Sequence, residues 1–385
     1  MATLSFLLPA VAVLTAAQAA SSPSATREST SDRPALRELA KRHGFNIGSA
    51  VPASCLRTDA DDGRYATTAT SVFNLVELEN DSKPPAIWAG PHEYRFENMD
   101  FVLGEPGKKG WAQEHKMKFR GHVLVYARDE GFTLPDWLRR SESSLSKENA
   151  AELLHDYIRA VAGRYRGKVA MWDVVNEAID DAPTSNPFNL RDSFWLRKLG
   201  PEFLVLAFKW AKEADPKAEL YYNEYGIEAG GPKGRHVLDL AKWLREQGAP
   251  IDGIGMQYHV DCHTRVVRGD SRYQYVEEIG KLGLAFMITE LDVAVPVESF
   301  QADDPRRGLV PKDEHDLQAQ AKVYAAVFAM ALSSKHCHGV NIWGLTDGHS
   351  WIPWASQWHA GAATLFDADY KPKPAYDAVA EVLGR

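Results

Sequence analysis

Eight short apolar runs, separated by stretches of mostly helical period, constrain this chain more than any other feature. They are Phe45–Val51, Val72–Leu78, Phe119–Tyr126, Val169–Val175, Leu220–Tyr225, Ile251–Val260, Phe286–Val293 and Gly339–Leu345. Between them, Leu153, Leu154, Tyr157, Ile158, Val161 and Tyr165 share one helical face, and Val237, Leu240, Ala241 and Leu244 share another that stops at Gly248. A third helix is expected over Phe203–Ala214, ahead of Asp215-Pro216. Near-continuous apolar strands alternating with helices read as a parallel sheet covered by helices. Eight such units predict an α/β fold, a (β/α)8 TIM barrel forming a single catalytic domain over 34–385. An open doubly wound sheet is disfavoured, because no Gly-x-Gly-x-x-Gly turn follows an early strand. A hydrophobic content of 45% excludes a disordered chain, and a net charge of −8 argues against a nucleic-acid partner held by a basic field.

The first residues read as a processing segment. Residues 2–19 carry no charge, run through Leu4, Phe6, Leu7, Leu8, Val11, Val13 and Leu14, and end in Ala17-Gln18-Ala19. That block is too short for a bilayer span and fits a secretory signal peptide over 1–19, followed by a polar linker over 20–33. A secreted, extracellular monomer with no membrane association is the expectation. Cys55, Cys262 and Cys337 leave one thiol over after any single bridge, and which two pair is open. His259-x-Asp261-Cys262-His263 and His336-Cys337-His338 lack zinc-site spacing, so no metal and no cofactor are expected.

In a barrel the chemistry belongs at the C-terminal ends of the strands. Those ends here carry Glu79-Asn80, Arg120-Gly121-His122, Asn176-Glu177, Asn223-Glu224, Gln257 with His259, Glu290 with Asp292, and Trp343. Glu177 closes the fourth run and Glu290 the seventh, three βα units apart and so across the barrel mouth. Two facing carboxyls suit glycoside hydrolysis, in which one protonates the leaving oxygen and the other attacks or activates water.

The ordered set Arg120-Gly121-His122, Trp172-Asp173-Val174-Val175-Asn176-Glu177-Ala178, Gly255-Met256-Gln257-Tyr258-His259, Thr289-Glu290-Leu291-Asp292-Val293 and Trp343-Gly344-Leu345-x-Asp347 resembles glycoside hydrolase family 10. That is the family of retaining endo-β-1,4-xylanases. The resemblance runs from about Leu36 to Tyr376. It implies Glu177 as acid/base, Glu290 as nucleophile, Asn176 as donor to the sugar 2-hydroxyl, and His259, Asp292 and Gln257 as supports. It further implies Glu79, Asn80, Lys83 and His122 as sugar-binding positions, with Trp343 and Trp351 as stacking walls. Asn80 opens the sequon Asn80-Asp81-Ser82, and a glycan there would block the implied cleft.

The sequence departs from the family's pattern on the sugar-binding side. Where the family carries a stacking Trp and a sugar-binding Gln after Arg-Gly-His, this chain has Tyr126 and Asp129. Ser82-Lys83-Pro84 replaces Met-Lys-Trp, and Glu224-Tyr225-Gly226 replaces Asp-Tyr-Asn. Cys337 lacks the family's usual upstream cysteine. The loop after the eighth run adds Trp351, Trp354, Trp358 and His359, which read either as a self-packed lid or as an extra wall for the ligand. The resulting expectation is a secreted retaining endo-β-1,4-xylanase acting on a polysaccharide. A same-fold β-glycosidase on a β-glucan or a glycosylated plant defence compound, tomatinase-like, is the alternative. A catalytically silent sugar-binding barrel is opposed by retention of both glutamates.

Overall fold

Asn46 of the first strand pairs with Gly339 of the last, so the sheet closes on itself. The computed structural model describes residues 33–57, 60–298 and 305–385, and Pro34–Arg385 form one unit. The expected leader and linker (1–19 and 20–33) lie outside the described residues, Arg33 apart.

The barrel strands are β1 (Asn46–Val51), β2 (Leu75–Leu78), β3 (Lys118–Gly121), β4 (Met171–Asn176), β5 (Glu219–Glu224), β6 (Gly253–Met256), β7 (Ala285–Pro296) and β8 (Cys337–Ile342). Each pairs in parallel with the next, in chain order, around the ring. The predicted (β/α)8 barrel is thus the observed architecture. All six residues of β1 and of β4 are buried, as expected of strands covered on both faces. The covering helices are α1 (Arg64–Val72), α2 (Glu97–Leu103), α3 (Lys147–Arg164), α4 (Glu202–Ala214), α5 (Gly231–Glu246), α6 (Ser271–Lys281), α7 (Glu314–Leu332) and α8 (Pro374–Gly384). Their starts follow local chemistry. Ser146 accepts from Asn149 N ahead of α3, and Asp270 accepts from Arg272 N and Tyr273 N ahead of α6.

Two predicted strands are divided. The third run breaks after Gly121 and resumes as Val125–Tyr126, still paired with β4. The sixth breaks after Met256 and resumes as His259–Asp261, because Tyr258 turns through a left-handed conformation (φ 69°). Both breaks lift side chains into the mouth of the barrel.

The interior is layered. Leu75, Met171, Tyr221 and Met287 plug its N-terminal end. Above them lies a buried charged layer in which Arg120 pairs with Asp173 and faces Glu77 Oε2 at 3.7 Å. Asn341 Nδ2 donates to Glu77 Oε2 at 2.9 Å. Burying these charges is tolerable only because they compensate one another. The candidate site rests on this layer.

Candidate active site

Glu177 follows the last residue of β4 in a left-handed conformation (φ 56°) that few non-glycine residues adopt, and its amide donates to Asn223 O at 3.0 Å. This turn aims the side chain across the barrel mouth, and the carboxylate is 7% exposed. Its Oε1 accepts from Tyr126 Oη at 2.7 Å, Gln257 Nε2 at 2.9 Å and Asn176 Nδ2 at 3.3 Å. Its Oε2 accepts from Arg128 Nη1 at 3.0 Å. Burial beside this carboxylate pushes the Tyr126 phenol well up, so it remains a donor.

Glu290 rises from β7 on the far side. Its Oε1 accepts from Asn223 Nδ2 at 2.8 Å, and its Oε2 lies 3.4 Å from His259 Nε2. Burial alone would raise this carboxyl. The hydrogen bond from His259, with the charges of His122, His259 and Lys83, overcomes that and brings it down to about 2. His259 in turn places Nδ1 2.8 Å from Asp292 Oδ2. Burial opposes the imidazolium, but the two carboxylates prevail and hold its pKa well above the usual histidine range. The result is an ionised carboxylate with a fixed, cationic neighbour, the state a nucleophile needs.

Asn223 joins the two carboxyls. Its Nδ2 donates to Glu290 and, at 2.9 Å, to Asn176 Oδ1, while its own Oδ1 accepts from Thr289 Oγ1 at 2.7 Å. A Cβ on Gly255 would lie 2.2 Å from that Oδ1, so glycine is required for the amide to lie where it does. From the sequence Asn223 is one polar strand-end residue among several; its bridging position emerges only from the geometry.

The expected sugar-binding residues divide into two groups. Lys83 Nζ donates to Asn80 Oδ1 at 2.8 Å, and Asn80 Nδ2 donates to Glu79 Oε1 at 3.2 Å, forming a polar rim beside Trp343. Burial pushes the Glu79 carboxyl up and the Lys83 amine down. His122 is buried with Nδ1 2.9 Å from Asp173 Oδ2, its ring 5.5 Å edge-on to Trp343. Trp351 donates from Nε1 to Asp292 Oδ2 at 2.9 Å and sets its ring 5.0 Å from that of His259. Asp129 is the exception. Its carboxylate accepts from Phe194 N at 2.8 Å and pairs with Arg197, so it ties down a neighbouring helix start and is not free to meet a sugar.

The tryptophan loop is also divided. Trp351 faces the site, whereas Trp354 packs on Trp358 (4.9 Å between rings) and is 73% exposed. Trp351 thus lies against His259 and Asp292, and Trp354 and Trp358 pack on each other. The three cysteines are all free thiols. Glu77, His122 and Asp173 could bring three ligand atoms together; Arg120 pairs with Asp173, and burial pushes the Glu77 carboxyl well up, which favours its neutral form over a metal-binding carboxylate. No helix among the described residues is long and apolar enough to cross a membrane.

The sequence profile of glycosyl hydrolase family 10 matches residues 35–382. The chain belongs to this family. Endo-1,4-beta-xylanase B of Thermotoga neapolitana is 35% identical over 350 residues, spanning 90% of this chain and 91% of that protein. Among solved structures, native xylanase 10B from Thermotoga maritima matches with a TM-score of 0.79 at 36% identity, covering 91% of this chain and 98% of its own. Xylanase 10B from Thermotoga petrophila RKU-1, solved in complex with xylobiose, matches with the same TM-score at 35% identity and the same coverage. In this family 10 glycoside hydrolase, Glu177 lies just after β4 and Glu290 within β7.

Proposed function

We propose that this hydrolase is a retaining endo-β-1,4-xylanase in which Glu290 is the nucleophile and Glu177 the acid/base. The observation that carries the assignment is the asymmetry between the two carboxyls. Glu290 is clamped by His259 and Asn223 and held ionised, whereas Glu177 sits among Tyr126, Gln257 and Arg128 at the opposite wall. In the first step Glu290 attacks the anomeric carbon, and the glycosidic bond breaks as Glu177 passes its proton to the departing oxygen. In the second, water attacks the anomeric carbon and loses its proton to Glu177. The sugar is released with the configuration it had, and Glu290 is again a carboxylate. Trp343 and Trp351 offer apolar faces for the sugar rings, and Glu79, Asn80 and Lys83 offer polar partners.

The test is release of reducing sugar from xylan by the wild-type protein and its loss in Glu290→Ala. No activity on any xylan at high enzyme concentration would refute the substrate. The withdrawal of Asp129 from the cleft favours a second reading, hydrolysis of a different β-glycoside. Comparing aryl xylosides, aryl glucosides and a steroidal glycoalkaloid as substrates separates the two. Residues 1–19 are proposed to act as a secretory leader. Amino-terminal sequencing of protein released from the producing cell should begin at Ala20, and retention of residues 1–19 in a protein that stays inside the cell would refute export.

A further inference from the structure

Arg128 occupies a position that the family motifs do not define, yet it touches the acid/base directly. Its Nη1 is 3.0 Å from Glu177 Oε2, while its Nε and Nη2 hold Glu130 Oε1 at 3.1 and 2.8 Å. The guanidinium spans a gradient of exposure. Glu177 is 7% exposed, Arg128 26% and Glu130 44%. With Oε1 of Glu177 already accepting from Tyr126 and Gln257, both oxygens of the carboxyl face donors. That arrangement suits a carboxylate and leaves no place for the proton that glycosidic cleavage requires. A proton can settle on Oε2 only if Arg128 moves away. Glu130 gives the guanidinium an anchor to move onto, because two of its nitrogens are already bonded there.

We propose that Arg128 is a positioning residue that pairs with the acid/base carboxylate while the cleft is empty and withdraws onto Glu130 when the leaving-group sugar enters. This rests on the reading of Glu177 as acid/base. On binding, the sugar takes the place of the guanidinium beside Oε2, and Glu177 takes a proton from solvent. That proton then goes to the departing oxygen. Arg128 stays on Glu130 until Glu177 has taken the proton of the attacking water, and returns to Oε2 when the product has left and that proton has passed to solvent. The other groups around Glu177 stay in place throughout. They are Lys83 from the loop after β2, Glu224 at the end of β5, Glu290 on β7, and Arg191, which donates to the Glu177 main-chain oxygen at 3.3 Å.

The test follows Glu177 in the free protein by carbon-13 carboxyl NMR, assigned with Glu177→Gln. In Arg128→Gln its protonation midpoint should rise by about one pH unit, and Arg128→Lys should restore part of the difference. An unchanged midpoint in Arg128→Gln overturns the proposal whether or not the protein cleaves xylan. On xylo-oligosaccharide, the alkaline limb of kcat/KM, which reports the free enzyme, should move upward in Arg128→Gln with a roughly tenfold gain on that side. The alkaline limb of kcat, which reports the complex, should stay where it is. If both limbs move together, Arg128 remains on Glu177 in the complex and the withdrawal is refuted. Absence of hydrolysis by the wild type would instead refute the xylanase reading, leaving the NMR result to decide the role of Arg128.

Discussion

The floor of the cleft and its rim are built on different principles. On the floor, Asn176, Asn223, Gln257, His259 and Glu290 occur within or just after barrel strands and bond one another in a continuous chain. On the rim, Asp129, Trp354 and Trp358 lie outside the barrel strands and bond away from both carboxyls. A change on the floor therefore propagates from one carboxyl to the other. A change on the rim stays local, which is why the sequence can drift there without loss of the reaction.

The largest break in that comparison comes from the floor. Glu290→Ala should lower kcat on xylan by about 10⁵-fold with the fold retained, as judged by circular dichroism. Glu177→Ala should cost about 10²- to 10⁴-fold on xylan, and far less on an aryl xyloside whose phenolate leaves without protonation. Equal losses on both substrates would remove Glu177 from the acid role.

A pH experiment sharpens the same contrast. The pKa of Glu290 falls to about 2 on folding, below the ordinary carboxylate value, so its contribution to stability is complete above about pH 4.5 and is lost as pH falls toward 2. In denaturant titrations across that window, wild type should lose about 3 kcal/mol more than Glu290→Gln. Identical acid profiles for the two proteins would contradict the clamp by His259. Asn223→Ala should then cost roughly 10- to 100-fold in kcat, since it strips a buried hydrogen bond from Glu290 and the link to Asn176. Smallest of all, Asp129→Asn should leave kcat and KM unchanged. It should lower stability by no more than about 1 kcal/mol, because its half-exposed pair with Arg197 is screened by water. A large rise in KM would return Asp129 to the sugar-binding set.

The same division marks what was legible in the sequence. The eight apolar runs became the eight barrel strands because strands covered on both faces must be apolar along their length. Glu177, Glu290, His259 and Asp292 could be read because strand ends in a barrel face a single mouth. Asn223 could be placed at a strand end but not oriented, since Asn223-Glu224 offers two adjacent polar residues and only one can point inward. Its selection depends on the space that Gly255 leaves on the next strand. Arg128 and Asp129 lie in a loop with no period to orient them. Two adjacent charged residues accordingly end in different places, Arg128 on Glu177 and Asp129 on Arg197. The sequence predicts Tyr126 at a sugar-stacking position, and its hydroxyl also donates to Glu177, a contact that residue type alone does not reveal.

The most direct test of the central assignment is to trap the covalent intermediate. Incubation with an activated 2-deoxy-2-fluoro-xylobioside slows both steps, and peptide mapping by mass spectrometry then locates the sugar. The sugar should be found on the peptide carrying Glu290, and the trapped protein should recover activity as the adduct turns over. An adduct on Glu177 or any other residue, or turnover of natural substrate with inverted configuration, would contradict the assignment of Glu290 as nucleophile.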